Sequence, residues 1–216
     1  MFVPNSGIPP LDTTLLFVQT LNGVQLGLLL FLVASGLTLV FGILDFVNLA
    51  HGSLYMLGAF ICASLTFLVG NFLLAVLIAL PITGVLGYLI ERFVARPLYA
   101  RDHLDHVLGT FGLILVLDTS VHLIWGPAGI AVPLPAWLEG QVGLFGDVVV
   151  PSFRLLIIAA GLAAAAGLFW LVNYTRLGML IRAGASNRTM VSALGIDIQS
   201  LFALVFALGA MLAGLA

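Results

Sequence analysis

The chain has 216 residues, 62% of them hydrophobic and only 7% charged, with a net charge of −2 and a mean hydropathy of +1.24. A soluble domain keeps roughly a quarter of its residues charged to hold its surface in water, so a water-soluble globule is excluded and the outer surface must face lipid. With no lysine anywhere there is no basic patch, which excludes a nucleic-acid partner.

Apolar runs such as Leu26 to Val33 and Leu155 to Leu171 are continuous, whereas membrane β-strands alternate apolar and polar positions over roughly ten residues. A helix needs about 20 apolar residues to cross the hydrocarbon. The sequence therefore predicts an all-α, polytopic transmembrane helical bundle of about six spans. It forms a single membrane domain over residues 1–216.

Met1 to Pro10 carries no basic stretch, so no cleavable leader is expected. The first predicted span, Leu15–Leu44, would reach about 45 Å at the usual rise per residue. It is expected to tilt, protrude or break near Gly23, Gly27, Gly36 and Gly42. Between it and the second span, Ser53–Val69, lies Phe41 to Gly52, with Asp45, Asn48 and His51 at three-residue spacing. Two readings are open: a broken helix whose freed backbone groups line a cavity, or a tight hairpin with Asn48 or His51 capping a helix end. Cys62, the one cysteine, reads as a small buried hydrophobe, and no intramolecular disulfide or cysteine-based metal site is available to it.

The third span is Phe72–Phe93, and Arg92, Arg96 and Arg101 mark a first arginine loop at its end. The fourth, Val107–Trp125, holds Asp118 and His122 on one helix face, read as a structural pair, or as a proton relay or substrate contact. The stretch Trp125 to Ser152 carries only Glu139 and Asp147 as charges, and Phe153–Val172 follows. Arg176, Arg182 and Arg188 then mark a second arginine loop before the last span, Leu201–Ala216. Cytoplasmic loops collect arginine, so both arginine loops are expected inside, with Trp125 to Ser152 and the N-terminus outside. Small residues four apart (Gly23/Gly27, Gly161/Ala165, Gly209/Ala213, Ala210/Gly214) predict close helix packing. The run stops at Ala216 without a polar tail, as expected of a chain truncated at its C-terminus.

Within the second arginine loop, Asn187 can cap a short helix and Gly195 can end it in the left-handed conformation. Met190, Val191 and Leu194 form an apolar face. That face would settle on the membrane interface or in a groove of a cytoplasmic partner.

Gly36 to Gly42, then Asn48-Leu49-Ala50-His51-Gly52 and Met56-Leu57-Gly58-Ala59, resemble the signature of branched-chain amino-acid ABC transporter permeases. The likeness is to the H-type subunit of the leucine/isoleucine/valine system. Glu91-Arg92, Arg96-Pro97-Leu98, Gly109-Thr110-Phe111-Gly112 and Trp125-Gly126-Pro127 fit it as well, and the match runs from Asn22 to Ala216. The resemblance implies a bacterial inner-membrane permease importing branched-chain amino acids, and a substrate pathway near Thr38, Asn48, His51 and Gly52. It also implies that residues 176–197 dock an ATPase through Arg182, Asn187, Met190, Leu194 and Gly195. The implied partners are a second permease subunit, two cytoplasmic ATPases, an extracytoplasmic substrate-binding protein and the lipid bilayer. Members of that family continue with further spans.

No phosphate-binding glycine loop ending in Gly-Lys-Ser/Thr is possible without lysine. ATP hydrolysis is therefore expected in another chain, with no catalytic residue, cofactor or metal in this one. A urea or short-amide importer of the same superfamily is the nearest alternative. A passive channel would need a pore ring or filter, and none is apparent. An intramembrane enzyme would have only Asp118 and His122 to work with.

Overall fold

A computed structural model describes residues 13–133, 135–145 and 148–216. Met1 to Pro10, read as leader-free, and Asp147 lie outside the described residues. The helices are α1 (Thr13–Leu44), α2 (His51–Val69), α3 (Phe72–Ile90), α4 (Arg96–Leu98), α5 (His103–Trp125), α6 (Ser152–Tyr174), α7 (Arg176–Ser186), α8 (Arg188–Ala193) and α9 (Ile198–Leu215). A single π-helical turn, Glu91–Ala95, joins α3 to α4.

Among the described residues, six helical segments are long and apolar enough to cross a membrane: Leu15–Leu44, His51–Val69, Phe72–Leu98, His103–Trp125, Ser152–Tyr174 and Ile198–Leu215. The chain is thus a multi-pass membrane protein. Most spans begin a few residues earlier than hydropathy placed them, because polar residues such as His51 and His103 supply the first helical turn. The α5–α6 connection contains a small antiparallel hairpin, β1 (Gln141–Phe145) and β2 (Val148–Pro151), which the sequence pattern does not announce. It pairs Val142 with Val150 and Gly143 with Val149 before its register shifts.

The first helix is unbroken, so of the three alternatives for its excess length, tilting, protruding or breaking at its glycines, the break does not occur. In an apolar surrounding a helix cannot surrender backbone hydrogen bonds to water, and continuity outweighs the low propensity of glycine. It ends at Asp45, which has φ 51 and donates its N–H to the Phe41 carbonyl at 2.9 Å.

Helix α9 sits between α1, α2 and α3, and glycines set how close they come. A Cβ added at Gly36 would lie 2.7 Å from the Gly209 carbonyl oxygen, and one at Gly58 would lie 2.4 Å from the Gly214 Cα. Such approaches are how helices gain packing where no hydrophobic drive exists between them. Gly209/Ala213 and Ala210/Gly214 do this as predicted. Gly23 and Gly27 do not: nothing lies within 4 Å of a Cβ at either position.

At the end of the bundle that carries the arginine loops, Val40, Ile43, Leu44 and Phe46 pack with Leu54, Ile181, Leu201, Phe202, Val205 and Phe206. The loop between α6 and α9 rests on this core. Thr175 caps α7 by accepting from the Gly178 N–H. Asn187 caps α8 by accepting from the Met190 N–H, and Gly195 ends that helix at φ 82.

Candidate functional site

After α1 ends, the chain does not turn at the arginine end. Asp45 to Asn48 is without regular structure and runs back into the bundle. His51, the first residue of α2, reaches Val33, with Nε2 3.1 Å from its carbonyl oxygen. Val33 lies eleven residues before the end of α1, which is about 16 Å along the helix axis. The crossing of Gly36 with Gly209 sits at the same level, since a Cβ at Gly36 would also meet the His51 ring at 3.0 Å. Gly209 is itself eleven residues into α9, again about 16 Å. Helix α2 therefore starts inside the bundle, and the hairpin alternative for this block gives way to the interior one.

Freed backbone groups in such a segment need partners. The Asn48 Oδ1 accepts from the Ala50 N–H at 3.1 Å, a local turn typical of asparagine. The Leu49 N–H donates to Thr110 Oγ1 on α5 at 3.3 Å. Because a carbonyl only accepts, His51 Nε2 carries the proton toward Val33. Asn48 Nδ2 and His51 Nδ1 are buried and find no partner among the described residues. Asn48 and His51 are only 4% and 3% exposed. Helix α2 thus presents its N-terminus, with the partial positive charge of its unpaired N–H groups, at interior depth.

Beneath this segment lies a polar network that sequence reasoning did not identify. Glu91 is 0% exposed and is clamped by Arg96, with Nη2 to Oε2 at 2.9 Å and Nε to Oε1 at 3.2 Å. The Tyr99 hydroxyl donates to Glu91 Oε1 at 3.2 Å, and Arg96 Nη1 donates to Gln199 Oε1 of α9 at 3.3 Å. The pairing depends on the π turn, in which the Arg96 N–H bonds to the Glu91 carbonyl, five residues back. On a regular helix positions three and four apart are neighbours and positions five apart are not, so spacing alone hides it. Burial pushes the Tyr99 phenol well above its ordinary range, with the Glu91 charge adding to the effect, which keeps the hydroxyl a donor. His106 joins from α5, its Nε2 2.9 Å from the Leu98 carbonyl.

The other predicted residues fall into separate places. Thr38 is exposed and bonds its own helix at the Ala34 carbonyl, so it is not brought together with Asn48 and His51. Gly52 is exposed in the first turn of α2. Nothing lies within 4 Å of a Cβ there and its φ is not positive, so no backbone strain requires glycine. Asp118 and His122 are 3.7 Å apart and half exposed on α5. Trp125, three residues on, donates to Ser64 Oγ at 2.7 Å.

In the second arginine loop, Met190 and Leu194 are 63% and 72% exposed, but Val191 is 4% exposed. The predicted three-residue apolar face is therefore split, because Val191 anchors α8 to its own chain. Arg182 is occupied as well, donating to the Val172 carbonyl of α6, which makes it a brace between α6 and α7. Asn187 and Gly195 shape α8 at its two ends.

Residues 19–216 match the family described as branched-chain amino acid transport system / permease component. The chain is 33% identical over 210 residues to the high-affinity branched-chain amino acid transport system permease protein BraD of Pseudomonas aeruginosa, covering 92% of this chain and 68% of that one. It is 33% identical over 210 residues to the permease protein LivH of Escherichia coli, with the same shares. To LivH of Salmonella typhimurium it is 31% identical over 214 residues, again with 92% and 68% covered. No solved structure matches.

Proposed function

The chain belongs to the family of branched-chain amino acid transport system permease components, and from that premise we propose that it is the membrane subunit through which an ATP-driven importer passes leucine, isoleucine and valine. The observation that carries the reading is the start of α2 inside the bundle, with Asn48 and His51 buried there and Gly52 opening outward. In transporters, half-helix ends at such depth face substrate groups, and the α2 N-terminus suits the carboxylate of an amino acid. Asn48 and His51 position that helix end, while Gly52 leaves room beside it. A second permease subunit completes the path, and an extracytoplasmic binding protein delivers the substrate.

ATP hydrolysis belongs to two partner ATPases on the cytoplasmic side. Helix α8 is the docking element in this proposal, presenting Met190 and Leu194 between its Asn187 cap and Gly195. Arg182 and Val191 hold that element on the bundle. Residues 176–197 are thus the docking loop of a single permease domain. The arginine loops face the cytoplasm of a bacterial cell, which puts the hairpin and the N-terminus outside.

The test is uptake of labelled leucine, isoleucine, valine and urea by the full-length permease with its ATPases and binding protein. The reading expects ATP-dependent uptake of the three amino acids and none of urea. Uptake of urea would move the assignment to the amide importers, and uptake without ATP would make the protein a channel.

A further inference from the structure

We infer that Tyr99 is a positioning residue for transport, carrying the position of α8 to the interior segment that leads into α2. This rests on the reading of α8 as the docking element and of the α2 start as part of the substrate path. Three contacts form an unbroken line from α8 to Phe46. The guanidinium carbon of Arg188, the first residue of α8, lies 5.5 Å from the Phe202 ring centroid on α9. Phe202 meets Tyr99 edge-on at 5.6 Å and 90°. Tyr99 meets Phe46 edge-on at 5.5 Å and 81°. Phe46, 1% exposed, stands two residues before Asn48 and also packs on His106 at 4.8 Å.

Edge-to-face contacts are directional, so each ring follows the tilt of its neighbour rather than sliding past it. Tyr99 differs from Phe46 and Phe202 in having a second attachment. Its hydroxyl is bonded to Glu91, which Arg96 holds in place. The ring can therefore pivot about its hydroxyl end but cannot retreat. A displacement of α8 that lifts Arg188 from Phe202 is passed to Phe46 and not absorbed at Tyr99. The buried carboxylate acts as the fixed point of this pivot, which gives the π turn at Glu91 a role in transport beyond shaping α3.

The measurement is ATP hydrolysed per leucine imported, using the full-length permease reconstituted with its ATPases, second permease subunit and binding protein. Tyr99→Ala removes the ring and the hydroxyl. It is expected to keep the ATPases bound and hydrolysing while the ATP-to-leucine ratio rises by about tenfold. Tyr99→Phe keeps both ring contacts and loses only the pivot, and the ratio is expected to rise about two- to threefold. This second variant decides the matter if Tyr99→Ala does not assemble. A residue that merely fills space would lower the yield of transporter and leave the ratio alone, so an unchanged ratio in Tyr99→Phe overturns the proposal. Leu194→Asp separates the two layers of the argument. If it retains the ATPases, α8 is not the docking element and the proposal falls with that reading. If it loses them while the Tyr99 variants keep a normal ratio, only the role of Tyr99 is overturned.

Discussion

His51 reaches back eighteen residues to Val33, placing its Nε2 3.1 Å from that carbonyl oxygen, and this contact fixes where α2 begins. The imidazole is the strut between α1 and the interior start of α2, and Asn48 completes the turn by accepting from Ala50. Removing the strut leaves a gap in a packed site and frees the segment to move.

His51→Ala is accordingly expected to destabilise the permease by about 2 kcal/mol, with a lower melting temperature in detergent. Leucine uptake should fall further than protein yield does, because the position of the helix end is lost along with the packing. An unchanged melting temperature would remove His51 from this role.

A matched pair of glycine substitutions tests the packing around α9. Gly58→Ala would put a Cβ 2.4 Å from the Gly214 Cα, whereas the same change at Gly23 or Gly27 meets nothing within 4 Å. Gly58→Ala should cost about 1–3 kcal/mol, since backbone must move to admit it. Gly23→Ala and Gly27→Ala should be neutral or slightly stabilising. Thermal unfolding of the three variants side by side checks the contrast, and equal melting temperatures would contradict it.

Much of the architecture was legible in the chain because hydrocarbon imposes a length rule on apolar runs. The six spans, the Asn187 cap and the left-handed Gly195 follow from local signals of that kind. What stayed hidden depends on contacts distant in sequence or on unusual helix geometry. The His51–Val33 contact spans eighteen residues, and although the polar residues of the Asn48 block allow an interior reading, their spacing cannot decide between it and a hairpin. Glu91 and Arg96 pair only because a π turn brings them together, and a reader looking for i, i+4 partners passes over them. Val191 looks equivalent to Met190 and Leu194 on a helical wheel, yet it faces inward because α8 lies on the bundle and does not stand free. Thr38 belongs to the same resembling signature as Asn48, in the preceding stretch, but sits on an open face of α1.

The split face of α8 predicts different outcomes for neighbouring substitutions. Leu194→Asp changes an exposed residue and should leave the melting temperature of the permease within about a degree, because surface changes away from packed features cost little. It should weaken ATPase binding by roughly 10- to 100-fold, the equivalent of losing one apolar side-chain contact. Val191→Asp buries a carboxylate without a partner and should destabilise α8 itself. Affinity of the purified ATPase for each variant, measured beside its melting curve, distinguishes the two. Equal loss of stability in both would mean that Leu194 is also packed.

Orientation can be checked in whole cells on a Cys62→Ala background. Cysteines replacing Arg101 and Arg188 should react with a membrane-impermeant thiol reagent only after the cells are opened. A cysteine at Glu139, exposed in the α5–α6 connection, should react in intact cells. Labelling of position 188 from outside would reverse the assignment.

The account stands most directly on the claim that the interior start of α2 borders the substrate path, and Gly52 is the position that reports on it. It is exposed, in helical conformation, and has open space where a side chain would go, so Gly52→Cys should fold and transport normally on the Cys62→Ala background. The measurement is modification of that cysteine by a small water-soluble thiol reagent in the assembled, full-length transporter, followed by leucine uptake. The predicted result is modification that slows in the presence of leucine and, once complete, abolishes uptake. A cysteine that is modified at the same rate with and without leucine while uptake continues unchanged would contradict the claim.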